Sequence, residues 1–177
     1  MAKCSVVLTG TAGVYFVASQ LAAKGFHAGP TFGNAPHVDI LVGLPNGAAT
    51  LSIQVKTTWR ALRTRGRGKG KVAHHYEWDV GERSARLNQP GLFFTFVDLK
   101  GMRSEMPDVF IVPSETIYGY FKKYFETGLS RWRWHPRVGS IEQYRNNWKM
   151  LEDYLNERSQ QIDYESQNTN INTAKRW

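Results

Sequence analysis

The segment from Asp39 to Lys56 carries three side chains whose types and spacing could support chemistry. Two apolar, β-branched runs flank a Pro-Asn-Gly turn, which predicts a β-hairpin. Alternate residues of a strand share a face, so Gln54 and Lys56 point one way while Ile53 and Val55 point the other. With Asp39 near the start of the neighbouring strand, a carboxylate, an amide oxygen and an ammonium meet on one face. These side-chain types can hold charged groups and transfer protons.

Length and charge bound the kind of protein and the kind of partner. A chain of 177 residues is typical of one domain and is long enough to bury a substantial core. The formal net charge is +8 and the isoelectric point is about 9.7. Such a balance favours a polyanionic partner, although charge alone describes association and not chemistry.

Cysteine content and hydropathy indicate the compartment. The single cysteine, Cys4, excludes an internal disulfide and is typical of a reducing cytoplasm. No run of 18 or more apolar residues occurs, and the apolar stretch 5–8 is too short for a secretory leader. We therefore predict a cytoplasmic protein without a membrane span.

Hydrophobic periodicity predicts an α/β fold. The expected elements are a helix over 12–24, a short strand over 26–30, the hairpin of 39–56, strand within 72–80, a short helix over 82–88, strands over 92–97 and 109–112, and helices over 114–123 and 141–157. Residues 92–97 form a dense apolar run that is typical of a central buried strand. The order predicts a mixed sheet of four or five strands flanked by helices.

A basic, glycine-rich segment follows the hairpin. Its cations, without an acidic residue among them, are Lys56, Arg60, Arg63, Arg65, Arg67, Lys69 and Lys71. Alternating glycines predict a mobile cationic loop, which could contact phosphates or could simply be a solubilising surface loop.

Aromatic residues raise a choice between nucleic acid and core. Arg131 and Arg133 flank Trp132 and Trp134, which could stack on bases or could pack in the core or a dimer interface. The other aromatic positions favour core or interface packing: Tyr76, Trp78, Tyr144 and Trp148, with Leu151 on the stripe of the last helix.

Further polar groups lie in the same half of the chain. His74, His75 and His135 lack a cysteine or second histidine at zinc spacing, which disfavours a zinc site. Glu77 or Asp79 would add a carboxylate to the hairpin face if their strand lies near it.

Together, these motifs resemble the core of the PD-(D/E)XK nuclease superfamily, and most closely its small archaeal-resolvase-like and restriction-endonuclease-like members. The pieces that carry the resemblance, which covers about residues 10–118, are Ala12-Gly13, Lys24-Gly25-Phe26, Asn34-Ala35-Pro36-His37-Val38-Asp39, Ile53-Gln54-Val55-Lys56-Thr57-Thr58, Phe94-Thr95-Phe96-Val97-Asp98-Leu99 and Phe110-Ile111-Val112-Pro113-Ser114. The resemblance implies an αβββαβ core and metal-dependent cleavage of DNA.

This chain departs from the superfamily pattern at two positions. Gln54 replaces the acidic residue usual at the second motif position, a substitution that some members carry. Val14 occupies the place, just after the glycine of the first helix, where many members have a glutamate. The site is therefore two carboxylates short of the full pattern.

The resemblance also implies roles for individual residues. Asp39, the Gln54 amide oxygen and the Val55 backbone carbonyl would hold Mg²⁺ or Mn²⁺, and Lys56 would orient or deprotonate the attacking water. Nucleic-acid contacts are expected from the cationic segment and the basic-aromatic loop: Arg60, Arg63, Arg65, Arg67, Lys69, Lys71, Arg131 and Arg133. A homodimer is expected because cleaving both strands takes two sites.

Other interpretations remain open at this point. Asp39 could cap its own loop, while Gln54 and Lys56 could be an ordinary solvated strand face. The chain could be a catalytically weak nuclease-fold module that only binds DNA, or an accessory subunit that docks a larger complex. We divide it into a nuclease-like core (1–125), a basic-aromatic loop with a C-terminal helix that packs on the core or a partner (126–158) and a polar, flexible tail (159–177).

Overall fold

The computed structural model describes residues 5–31, 37–101 and 105–174, with side chains described as far as residue 167. The helices are α1 (Val6–Ala23), α2 (Glu82–Ala85), α3 (Ser114–Phe121), α4 (Val138–Ile141) and α5 (Lys149–Ala174). The strands are β1 (His27–Pro30), β2 (Ile40–Gly43), β3 (Thr50–Thr58), β4 (Leu62–Arg65), β5 (Val72–Tyr76), β6 (Trp78–Asp79), β7 (Leu92–Asp98), β8 (Asp108–Pro113) and β9 (Arg133–Trp134). Cys4 and residues 34–36, part of the motif 34–39, lie outside the described ranges.

A five-stranded mixed sheet forms the centre, in the order β1-β2-β3-β7-β8. β2 and β3 pair antiparallel with Ile40 opposite Ile53, as expected for the hairpin, and Gly47 in its turn has a φ of 69°. β3 and β7 run parallel, whereas β7 and β8 run antiparallel. The predicted α/β fold with a mixed sheet of four or five strands is confirmed.

The two faces of the sheet bury different kinds of side chain. One face carries the aliphatic cluster, in which α1 and α5 pack residues such as Val17, Leu21 and Leu155 against Ile53 and Val97. The other face carries the aromatic cluster, built from β6, β7, β8, β9 and α3 around Trp78, Phe96 and Phe110. Since residue parity decides the face, Gln54 and Lys56 share the aromatic face with Phe94 and Phe96, their partners in β7.

Parallel pairing of β3 with β7 explains why the polar side chains of β3 are covered. Parallel neighbours need a crossover, and residues 59–91 provide it. Within that crossover β6 packs on the aromatic face: the Trp78 indole nitrogen donates to the Val97 carbonyl at 3.0 Å, and its ring packs tilted against Phe96 with the ring centroids 5.2 Å apart. The crossover therefore brings β6 and α2 next to Lys56.

Helix α1 is longer than the sequence pattern predicts. It begins at Val6 rather than near residue 12, and the Ser5 hydroxyl accepts a hydrogen bond from the Leu8 backbone N–H as the N-cap. The first turn extends past the sheet, which leaves Val6 88% exposed. By length and composition alone α1 could span a membrane, but a core helix meets the same criterion, and Val17 and Leu21 are fully buried.

The predicted cationic loop is wrong for most of its length. β3 continues to Thr58, and residues 62–76 form an antiparallel two-stranded ribbon, β4 with β5, closed by a 3₁₀ turn at Gly68–Gly70. The alternating glycines predicted a mobile loop, but they allow the backbone to turn tightly at the tip of the ribbon. A Cβ on Gly66 would lie 2.5 Å from the Gly70 carbonyl oxygen.

The C-terminal elements also differ from the predicted ones. The predicted helix over 141–157 is α4, a 3₁₀ turn at Glu142–Tyr144 and then α5, which continues to Ala174 through the stretch predicted as a polar tail. Ser114 begins α3 without capping it, because its hydroxyl instead donates to the Gln89 carbonyl and accepts from the Gln89 N–H.

Candidate active site and nucleic-acid interface

Asp39 lies directly before β2 and is tied to β3 from both its backbone and its side chain. Its N–H donates to the Ile53 carbonyl at 2.8 Å, and its Oδ2 accepts from the Val55 N–H at 2.7 Å. Because Ile40 pairs with Ile53, Asp39 is opposite Gln54 and projects from the same face. The carboxylate therefore belongs to the same face as Gln54 and Lys56, and its second oxygen makes no hydrogen bond with the described residues.

Gln54 has an oxygen without a partner. The residue is 9% exposed, and its Oε1 is buried with no hydrogen-bond partner among the described residues. Buried polar atoms are nearly always satisfied, since an orphaned acceptor costs about 1–3 kcal/mol. A water or a cation at this position would satisfy the amide oxygen.

Lys56 is half-buried and points towards the crossover. Its ammonium donates to the Ser84 hydroxyl of α2 at 3.1 Å. Burial lowers the pKa of Lys56 below its usual 10.5, while the negative charges of Asp39 and Asp79 act in the opposite direction. The lysine therefore lies within electrostatic range of both carboxylates, and Asp79 is the exposed one of the two.

The Val55 backbone lies on the β2 side of β3. Its N–H donates to Asp39, and the N–H and C=O of one strand residue point to the same edge, so its carbonyl oxygen faces the same side as the carboxylate. Carboxylate, amide and carbonyl oxygens are the hard donors that Mg²⁺ and Mn²⁺ prefer. In the described part of the chain no three His, Cys, Asp or Glu side chains could hold a metal together, so any cation here depends on the amide and the carbonyl.

The first helix provides no acid to this face. Helix α1 lies close to β3 at Gly13, where a Cβ would lie 1.8 Å from the Thr57 hydroxyl. Val14, next to it, packs against the aliphatic cluster. The close approach explains the glycine, and the aliphatic surroundings explain the valine at the position where the superfamily pattern has glutamate.

A second polar cluster lies one strand away, around Glu77. Its carboxylate contacts Arg63 at 3.1 Å, Arg133 at 3.0 Å and the His135 ring at 3.3 Å. Burial alone would raise the pKa of Glu77, but Arg63 with its hydrogen bond and charge, then Arg133 and His135, lower it overall. We call these four residues the Glu77 cluster. Glu77 is therefore engaged and does not supplement Asp39, whereas Asp79 does lie near Lys56.

The predicted nucleic-acid contacts divide into paired and unpaired cations. Arg63 and Arg133 are paired with Glu77, as above. Four cations of the ribbon are exposed, and their side chains make no hydrogen bond or ion pair with the described residues: Arg65, Arg67, Lys69 and Lys71. Arg60 and Arg131 are also exposed. Trp132 and Trp134 are 8% and 4% exposed and pack in the aromatic cluster, so they do not present faces for base stacking.

Ser84 is the site residue that sequence reasoning missed. It is 6% exposed and its hydroxyl is the contact that receives the Lys56 ammonium. The short helix around it was predicted, but nothing in the pattern of residues 82–88 indicates which strand that helix covers. Only the crossover between parallel strands brings the two residues together.

Comparison with known proteins supports the fold. No protein-family model matches the chain, and no curated protein matches it. Among solved structures, it is similar to the bacterial homing endonuclease I-Ssp6803I, with a TM-score of 0.54 and 14% sequence identity over 92% of this chain and 99% of the other. At this identity the likeness establishes a shared nuclease-like α/β fold and nothing finer.

Proposed function

We propose that this chain is a metal-dependent endonuclease that hydrolyses phosphodiester bonds of DNA at the face shared by Asp39, Gln54 and Lys56. The observation that carries the proposal is the orphaned, buried Gln54 oxygen on the strand face that also carries Asp39 and Lys56. The likeness of the fold to a solved endonuclease and the net charge of +8 support the same substrate class.

The donor set fits a hard divalent cation. Asp39, the Gln54 amide oxygen and the Val55 carbonyl would hold Mg²⁺ or Mn²⁺, with DNA phosphate oxygens and water completing the shell. When bound, such a cation lowers the pKa of a water and balances negative charge on the phosphate. The Asp39 carboxylate is already fixed by the Val55 N–H at 2.7 Å, so it needs no rearrangement to bind.

Lys56 would act on the attacking water and on the charge at phosphorus. Its ammonium is held by the Ser84 hydroxyl at 3.1 Å, and burial lowers its pKa, which makes proton exchange with water less costly. Near the scissile phosphate, the same group would stabilise the negative charge that develops in the transition state. Asp79, exposed and within electrostatic range of Lys56, would help keep that lysine charged.

The unpaired cations give the site its DNA-binding surface. Arg60, Arg131 and the ribbon would neutralise phosphates, which releases counterions and makes binding depend on salt. A homodimer in the cytoplasm is the assembly and location that we propose, since a double-strand cut needs two sites.

A second function also has an observation in its favour. Asp39 is the one carboxylate of the described residues that shares the strand face of Gln54 and Lys56 and accepts a hydrogen bond from β3. Val14 of α1 packs in the aliphatic cluster and adds no acid to that face. A nuclease-like fold that binds DNA without cutting it would have this composition.

Cleavage of supercoiled plasmid DNA separates the two functions. With Mg²⁺ or Mn²⁺ we expect nicked and linear products from the wild type, none in EDTA, and a rate about 10³-fold lower for Lys56→Ala. Lys122→Ala, at an exposed lysine beyond α3, is the matched control and should cleave normally. Equal rates for the wild type and Lys56→Ala would contradict the proposal, and salt-dependent binding without cleavage would select the DNA-binding module.

A further inference from the structure

The ribbon, residues 62–76, has a fixed base. Leu62 and Tyr76 pair across the strands and pack in the aromatic cluster, and the Leu62 N–H donates to the buried Asp98 carboxylate at 3.3 Å. On the other strand the Tyr76 N–H donates to the Pro136 carbonyl at 3.0 Å. Since side chains and backbone of both strands are anchored, the ribbon projects from the body in one direction.

Its outer half projects into solvent on both faces. Every residue from 64 to 73 is exposed, and Val72 is 63% exposed. An isolated two-stranded ribbon is marginally stable, so the exposed outer half of this ribbon depends on the anchored base for its order. Cations lie along it, with no acidic residue between 56 and 76.

The cross-strand register pairs a cation with an apolar side chain. Arg65 lies opposite Val72, so the two project from the same face with Cβ atoms about 5 Å apart. Phosphate contact requires only the cations, and an exposed isopropyl group gains nothing from it. In the major groove, however, guanine offers N7 and O6 to an arginine fork, and thymine offers a methyl group to an apolar side chain.

We propose that the ribbon enters the major groove of duplex DNA and reads bases there through Arg65 and Val72, while Arg67, Lys69 and Lys71 at the tip contact phosphates. This rests on the proposed function in taking DNA as the substrate. The major groove, about 12 Å wide, admits a two-stranded ribbon and presents a distinct donor and acceptor pattern for each base pair, whereas the pattern in the minor groove is degenerate. The target of this protein is then a defined sequence rather than any duplex.

Selection from a random duplex library tests the assignment. In EDTA, which prevents cleavage, the wild type should enrich a sequence with a preferred guanine and a nearby preferred thymine. Arg65→Lys keeps the charge but loses the fork, so the guanine preference should fall about 10-fold. Val72→Ser should lower the thymine preference alone.

Two control variants separate reading from charge. Lys69→Ala should weaken binding to all sequences alike and lower the salt dependence by about one counterion. Arg158→Lys, on the exposed surface of α5, should change neither affinity nor preference. All four substitutions lie at exposed positions, and unchanged melting temperatures would establish that each variant is folded.

The outcomes distinguish this inference from the proposed function. A wild type that cuts plasmid yet enriches no sequence, or variants that keep the wild-type preference, would overturn base reading and leave the nuclease in place. Sequence enrichment lost in Arg65→Lys, from a protein that never cuts, would support reading and contradict catalysis. Absence of DNA binding at low salt would overturn both.

Discussion

The Glu77 cluster and the face of Asp39, Gln54 and Lys56 both combine polar and charged side chains, but they differ in how completely their oxygens are paired. At Glu77 one carboxylate contacts two arginines and a histidine, and both of its oxygens are engaged. At Asp39 one oxygen is engaged by the Val55 N–H, and the neighbouring Gln54 oxygen is buried without a partner. Both oxygens of the Glu77 carboxylate therefore have cationic or histidine partners, whereas the Asp39 face retains oxygens without a partner among the described residues.

The difference teaches how to separate a structural cluster from a candidate site in the same molecule. The ion pairs of Glu77 connect the ribbon, β6 and β9, because Arg63 and Arg133 lie in different strands and both contact this carboxylate. Leaving Gln54 unpaired costs stability and gives the fold nothing, unless a ligand repays it. Substitutions in the two clusters should therefore have opposite effects on stability and on activity.

Asp39→Asn should have the largest effect on cleavage. The amide retains an oxygen for the Val55 N–H but loses the only charge among the proposed cation donors, so we expect the rate to fall about 10³-fold. Plasmid nicking with Mn²⁺ measures it, with Asp163→Asn, on exposed α5, as the control. A variant that cuts at the wild-type rate would remove Asp39 from the site.

Gln54→Met should trade activity for stability. The substitution keeps the volume and removes the orphaned oxygen, so the free energy of unfolding should rise by about 1–2 kcal/mol while cleavage falls about 100-fold. Urea unfolding and plasmid nicking provide the two readouts. Loss of both stability and activity would identify Gln54 as an ordinary core residue with an unseen partner. Gln54→Glu, which adds a second carboxylate to the proposed cation donors, should bind Mn²⁺ more tightly.

Ser84→Ala should have a smaller effect. The Lys56 ammonium would lose its acceptor at 3.1 Å and sample more positions, so we expect a roughly 10-fold lower turnover with unchanged affinity for DNA. Single-turnover rates and binding isotherms separate these two quantities, and Ser84→Thr, which keeps the hydroxyl, should recover part of the rate. If affinity alone changed, a positioning role for Ser84 would be excluded.

Glu77→Gln should leave cleavage nearly unchanged but lower stability by about 1–2 kcal/mol, because two arginines lose their anion in a half-buried place. The effect depends on pH. Since the pKa of Glu77 is lowered below its usual 4.5, the ionised carboxylate stabilises the fold above that pH and the contribution is lost as the pH falls through the lowered value. Urea unfolding at pH 7 and pH 3 should therefore give a larger difference between wild type and variant at pH 7 than at pH 3. A difference of equal size at both values would contradict the ionic origin.

The sequence allowed the hairpin, the buried strand β7 and the α/β class to be predicted, because each rests on a local pattern. Alternation around the Pro-Asn-Gly turn placed Gln54 and Lys56 on one face, and the predicted apolar run 92–97 is buried throughout. These are properties of single strands and their turns.

The remaining features depend on tertiary packing and could not be predicted. Ser84 meets Lys56 because the crossover lies on the aromatic face, and Trp134 is buried where β9 pairs with β6. The glycines predicted a mobile loop, but the segment forms an ordered ribbon because hydrogen bonds to Asp98 and Pro136 anchor its base. Long-range contacts override local preference in each case.

The most direct test of the account is the position of a divalent cation. A crystal of the wild type soaked with Mn²⁺ should show an anomalous peak in contact with the Asp39 carboxylate and the Val55 carbonyl, on the side of the Gln54 oxygen. The account predicts that this peak disappears in Asp39→Asn while the Glu77 cluster binds nothing in either crystal. Absence of a peak at Asp39, or a peak at Glu77 and His135 instead, would contradict it.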